Sequence, residues 1–144
     1  MKIQQLSLFL ENKPGHLRAI CRTLAEAGIN IVTLSLADTE QFGILRLIVR
    51  DWEKAKKALE QKDFVVNVTE VVATEVEDRP GGLSEILEMI EETGTNIEYM
   101  YAFTRRLNDR AVLVFRFDKP EAVIQLLQAR NQNVLGAVDL FQDA

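Results

Sequence analysis

Two short runs carry the chemistry this chain can do. Asn12-Lys13-Pro14-Gly15-His16-Leu17 and Asp78-Arg79-Pro80-Gly81-Gly82-Leu83 each set a polar residue and a cation before Pro-Gly, then an apolar residue that opens a helical stripe. Gly15 and Gly81, with Gly82 beside it, leave backbone N–H groups unshielded, so a ligand can approach them closely. The first N–H groups of a helix have no acceptor within it and stand at the positive end of its dipole. Such a turn suits a carboxylate or phosphate without any charged side chain. The plain alternative is a Pro-Gly pair that only turns the chain into its helix.

Other chemistry is poorly supplied. His16 and Cys21 are the sole histidine and cysteine, too few for a structural zinc site of the usual thiolate and imidazole type. No nucleophile stands in a recognisable setting around His16. The P-loop pattern and the dinucleotide G-x-G-x-x-G are both absent. The expectation is therefore a protein that is not an enzyme and calls for no cofactor and no metal. A formal charge of −5 offers no basic face, so neither nucleic acid nor an anionic membrane is expected as partner. No apolar run reaches the roughly 18 residues of a membrane span. The opening Met1-Lys2-Ile3-Gln4-Gln5 lacks a secretory signal, and one cysteine makes no intramolecular disulfide, so the cytoplasm is the expected compartment.

The elements that position the two runs are themselves duplicated. Pro14 and Pro80, Gly15 and Gly81, Leu17 and Leu83, Gly28 and Gly94, and Asn30 and Asn96 are each 66 positions apart. A fixed period of this length is one module written twice, with boundaries expected at 1–68 and 69–144. In the first copy Leu6, Leu8 and Leu10 alternate with other residues as a strand does. Pro14 is expected to open a helix whose apolar stripe is Leu17, Ile20, Cys21 and Leu24, with Gly28 ending it. Ile31 to Asp38 and Gly43 to Arg50 form a hairpin around Thr39-Glu40-Gln41. Asp51 caps a second helix anchored by Trp52, and Phe64 to Val72 closes the unit. The second copy repeats this with Leu83, Ile86, Leu87 and Ile90, a hairpin from Asn96 to Phe117, a capping box at Asp118 to Glu121, and a last strand from Val134 to Phe141. The fold class is α+β: two ferredoxin-like βαββαβ repeats, antiparallel sheets with helices on one face. From Phe64 to Val76 there is neither Gly nor Pro. The junction is thus either one long shared strand or an exchange of strands between repeats.

Glu11-Asn12-Lys13-Pro14-Gly15, followed by Ala25-Glu26-Ala27-Gly28-Ile29-Asn30-Ile31, resembles the ACT domain, an amino-acid-sensing module, and in particular the serine-sensing domain of phosphoglycerate dehydrogenase. The resemblance covers both repeats. It implies a free amino acid held between two adjacent modules, by the strand-to-helix loop of one and the Asn opening the second strand of the other. Carried over by position, the ligand-binding residues are Asn12, Lys13, Pro14, Gly15, His16, Leu17, Asn30 and Ile31, with Asp78, Arg79, Pro80, Gly81, Gly82, Leu83, Asn96 and Ile97 in the copy. Two departures stand out. Leu10 occupies the place of a histidine in the serine-binding relatives, and Asp78 replaces the loop Asn. Asn12 with Gly15 and His16 is accordingly expected to face Asn96 as the more competent site.

The reading is a non-catalytic sensor of a free amino acid, regulating amino-acid metabolism and forming a homodimer through sheet edges. The alternative is a regulatory subunit that chiefly grips a biosynthetic enzyme, marked by an exposed apolar patch away from the Pro-Gly turns. His16 is either a plain first-turn residue or a lid over the ligand with pH sensitivity near neutrality. Cys21 is read as a small buried hydrophobe. Lys54 to Lys57 reads as a solvated face, and Arg105, Arg106 and Arg110 as solvent-exposed or partner-contacting.

Overall fold

The computed structural model describes residues 2–11, 13–38, 42–104, 106 and 109–142. They divide into two compact units, Gln4–Thr69 and Glu70–Gln142, with Lys2 and Ile3 joining the second. The first unit is built from β1 (Ile3–Glu11), α1 (His16–Glu26), β2 (Ile31–Asp38), β3 (Phe42–Val49), α2 (Trp52–Glu60) and the start of β4 (Val66–Val76). The rest of β4, then α3 (Gly82–Glu92), β5 (Ile97–Ala102), β6 (Ala111–Phe117), α4 (Pro120–Ala129), β7 (Val134–Leu135) and α5 (Ala137–Leu140) make the second.

In the first unit β3 lies antiparallel between β1 and β2, and β1 neighbours β4. In the second β6 lies between β4 and β5, while β7 pairs with β4 at Ala73 and Thr74. Both follow the split βαβ order. Alternation decides which face is covered. Leu6, Leu8 and Leu10 of β1 join Leu45, Leu47 and Val49 of β3 beneath Ile20 and Leu24 of α1 and Ala55 and Leu59 of α2. Val72, Val76, Phe115 and Phe117 likewise meet Ile86, Ile90, Val123 and Leu127. Trp52 packs at the edge of the first core, and Cys21 is half-buried rather than buried.

Of the two alternatives at the junction, one long strand forms: β4 runs through 11 residues without a break. Its N-terminal end serves the first sheet and its C-terminal end the second.

Three local expectations are corrected. Pro14 and Pro80 do not open their helices but stand at the corner before them, because Gly15 and Gly81 are left-handed (φ 93° and 87°) and helical geometry starts one residue later. Asp118 does not cap α4. Lys119 holds that position without a side-chain bond, and the Asp118 carboxylate accepts instead from the Asn96 N–H at 3.0 Å. The last strand stops at Leu135, since the Gly136 N–H donates to Asp139 at 3.1 Å and starts α5. By contrast, Asp51 does cap α2, accepting from the Lys54 N–H at 3.2 Å. Gly28 does end α1 in a left-handed conformation (φ 72°), with the Ile29 N–H reaching back to the Leu24 carbonyl.

Candidate functional site

Each repeat enters its first helix through the same backbone corner. After β1 the Lys13 N–H donates to the Glu11 carbonyl at 2.8 Å, and after β4 the Arg79 N–H donates to the Glu77 carbonyl at 3.0 Å. Pro14-Gly15 and Pro80-Gly81 follow as the central pair of a turn whose second residue needs positive φ, the geometry of a type II turn. The first helical bonds are Ala19 N–H to Gly15 and Glu85 N–H to Gly81, both 3.0 Å. Glycine carries no side chain to cap the helix, so the N–H groups of Leu17 and Arg18, and of Leu83 and Ser84, lack acceptors within their helices.

Side chains make the two corners different. At the first, a Cβ added to Gly15 would meet nothing within 4 Å, so the turn is open. Beside it lies a cavity of about 330 Å³, whose apolar floor is Leu10 and Gly43, both buried, with half-buried Leu17 and exposed Leu36, and whose charged rim is Glu11, Lys13 and Asp38, all exposed. Lys13 and Glu11 pair at 2.9 Å. The Lys13 hydrogen bond and charge hold the Glu11 carboxyl below its ordinary value, with a smaller contribution from His16. His16 itself begins α1 half-buried. Both signs of charge therefore border an apolar floor at the foot of a helix.

The second corner is occupied by its own ions. The Arg79 guanidinium donates to Glu77, to both Glu85 carboxylate oxygens at 2.9 and 2.8 Å, and to the Pro80 carbonyl at 3.1 Å. Arg106 pairs with Asp78 at 2.8 Å, and Arg110 lies 3.7 Å from both Glu75 and Glu77. Arg79 holds the Glu77 carboxyl below its ordinary value, by hydrogen bond first and charge second. A cavity of about 180 Å³ beneath this network is walled by Glu77, Glu85, Arg110, Asn131 and Gln132. Gly82 presses so closely on the strand end that a Cβ would fall 2.1 Å from the Glu77 carbonyl oxygen. Arg106 and Arg110, expected at the surface for solvent or a partner, are thus spent on this corner.

The expected residues sort accordingly. Lys13, Pro14, Gly15, His16 and Leu17 come together at the open corner, whereas Asp78, Arg79, Pro80, Gly81, Gly82 and Leu83 gather at the occupied one. Asn12 lies outside the described residues, as do Thr39-Glu40-Gln41 and Arg105. Asn30 and Ile31 open β2 at the end opposite the Pro-Gly corner, seven residue steps or about 23 Å of strand away. Asn30 lines a separate cavity of about 310 Å³ with Arg50, Asp51 and Lys54. Asn96 and Ile97 hold the same far position in the second unit, where Asp118 pins the Asn96 backbone. Within one unit, then, corner and asparagine do not meet. Sequence reasoning missed Leu10, Glu11, Leu36, Asp38 and Gly43 as cavity residues. Gly43, a glycine at the start of a β-rich run, was the available signal.

Among the described residues no group of three or more His, Cys, Asp or Glu side chains is arranged to hold a metal. No helix among them is long and apolar enough to cross a membrane.

A family model described as an ACT domain pair matches residues 1–142. Protein BT0572 from Bacteroides thetaiotaomicron is 40% identical, with 99% of this chain and 97% of that one covered and a TM-score of 0.91. The ligand-free regulatory subunit of aspartate kinase from Thermus thermophilus is similar in fold at 16% identity (89% and 91% covered, TM-score 0.63). Its Thermus flavus counterpart is similar in fold at 17% identity (88% and 90%, TM-score 0.61). A comparison with curated proteins returns no match.

Proposed function

The chain belongs to the family of ACT domain pairs, and from that premise we propose that it is a non-catalytic sensor of a free amino acid. The observation that carries the proposal is the open Pro-Gly corner and the charged rim of its cavity. An amino acid is a zwitterion, and the rim offers a counterpart to each end. The first-turn N–H groups of α1 and the Lys13 ammonium suit its carboxylate. The Glu11 and Asp38 carboxylates suit its ammonium. A ligand without chemistry acts by preferring one conformational or quaternary state of the protein, which is how such a molecule would regulate amino-acid metabolism.

A thermal-shift screen over the common L-amino acids tests this. At least one should raise the melting temperature, and Lys13→Ala and Asp38→Asn should each remove the shift while leaving the ligand-free melting temperature near its starting value. Asn96→Ala reads the contribution that the family resemblance implies for that residue. If no amino acid moves the melting temperature, the sensor proposal fails.

One observation favours a second reading, a regulatory subunit that grips a biosynthetic enzyme. Phe9 and Phe42, 66% and 48% exposed, stand near each other on the helix-free face of the first unit. Under this reading an enzyme co-purifies with the wild-type protein and is lost with Phe9→Ser.

A further inference from the structure

We infer that the amino acid taken by the first repeat is one with an aliphatic side chain, of the leucine, isoleucine or valine kind. The inference rests on the sensor proposal and adds the class of ligand. It comes from the floor of the 330 Å³ cavity, not from its rim.

Three leucines from three elements converge there: Leu10 from β1, Leu17 from α1 and Leu36 from β2. Leu10 is buried at 4% exposure, whereas Leu36 is left 48% exposed on the covered side of the sheet, directly across from the fully buried Leu45. The Leu36 side chain can lie here because position 43 is glycine. Gly43 pairs with Leu10 on one side and Asp38 on the other, and a Cβ there would lie 3.1 Å from Leu36 Cδ1 and 3.9 Å from Leu10 Cβ. A glycine inside a paired strand weakens it and often marks the close approach of another group, here the Leu36 side chain that lines the cavity.

The second repeat supplies the contrast. Its register sets Val76 opposite Ala111 where the first sets Leu10 opposite Gly43, and Ala102 opposite Leu113 where the first sets Leu36 opposite Leu45. There Ala111 stands in the place of Gly43 and Ala102 in the place of Leu36. Among the described residues the cavity at the second corner is lined chiefly by polar side chains, so the leucine-lined cavity belongs to the copy whose corner is open.

The charged groups that line the cavity, Glu11, Lys13 and Asp38, are all exposed, where the constant part of an amino acid would engage them. A hydroxyl or charged side chain directed at the floor would meet leucine methyls and lose its hydrogen bonds with water, which is costly. An aliphatic side chain instead covers Leu36 and is itself removed from water. The volume is at the small end of ligand cavities, which run from roughly 300 to 1,000 Å³.

Isothermal titration calorimetry of the full chain with L-leucine, L-isoleucine, L-valine, L-serine, L-aspartate and L-lysine tests the inference. The best aliphatic ligand should bind at least about tenfold tighter than serine, the scale on which apolar cavities discriminate. Leu36→Ser should remove most of that preference while leaving any serine affinity in place. Gly43→Ala should weaken leucine and isoleucine more than valine, because the added methyl takes floor space. The nearest obstacle to that methyl is the mobile end of Leu36, so this variant should keep the ligand-free melting temperature.

A polar or charged amino acid that binds tightest, with binding still abolished by Lys13→Ala, overturns the class while leaving the sensor proposal intact. Absence of any binding overturns both. If Leu36→Ser dissociates a dimer and leaves amino-acid preference unchanged, the leucines belong to an interface and the inference falls.

Discussion

At residue 16 the first repeat has histidine and at residue 82 the second has glycine, each after a left-handed glycine of nearly the same φ and ψ. His16 is half-buried, whereas a Cβ at Gly82 would run into the Glu77 carbonyl at 2.1 Å. Backbone cannot step aside as a flexible side-chain end can, so Gly82→Ala should destabilise by about 1–3 kcal/mol in urea unfolding. His16→Ala should cost less than about 0.5 kcal/mol. Equal costs would mean the corners are packed alike. The Arg79–Glu77 pair has a pH signature of its own. Glu77 is held below its ordinary value of 4.5, so its contribution is present above that pH and is lost as pH falls through the lowered folded value. The melting-temperature difference between wild type and Arg79→Met should therefore shrink from pH 6 toward pH 3. Because the pair is exposed, it should also shrink in 1 M salt, where charges are screened over about 3 Å.

Among the elements, α2 and α4 each follow an aspartate, Asp51 and Asp118, that plays a different part. Asp51 closes on the Lys54 N–H at 3.2 Å, a true helix cap. At Asp118 the following Lys-Pro shifts the helix start by one, so the carboxylate turns to the strand opening at Asn96. Asp51→Ala should cost about 1 kcal/mol and speed amide exchange at Lys54. Asp118→Ala should speed exchange at Asn96 and leave the first turn of α4 unchanged. Matching exchange patterns in the two variants would show that both aspartates cap. Glu121, read as the far side of a capping box, instead pairs with Lys2. Both misreadings arise from one-residue offsets, which periodicity does not resolve.

For the molecule as a whole, a ligand held by the folded state stabilises all of it by mass action. At about 100 times its dissociation constant the gain is about 2.7 kcal/mol. For a chain of this size that corresponds to a rise of about 5–10 °C in melting temperature, readable by calorimetry. The rise should scale with the logarithm of ligand concentration; a rise that saturates at stoichiometric ligand with no further increase would point to a different cause. β4 belongs to both units, with the boundary after Thr69 falling inside it. That sharing was legible as a run without Gly or Pro, yet only as one of two alternatives, since a strand exchange needs the same run.

The duplicated period, the two βαββαβ plots, the Pro-Gly corners and their helix-opening N–H groups were all written in residue order, because turn and helix chemistry act within a few positions along the chain. What residue order left open was which corner a guest could enter. Arg106 meets Asp78, Arg110 meets Glu75 and Glu77, and Gly43 meets Leu10 through partners roughly thirty positions apart. Antiparallel strand register brings the chain segments that carry them together, and a slip of one residue would turn the strand residues Leu10 and Glu75 to the opposite face.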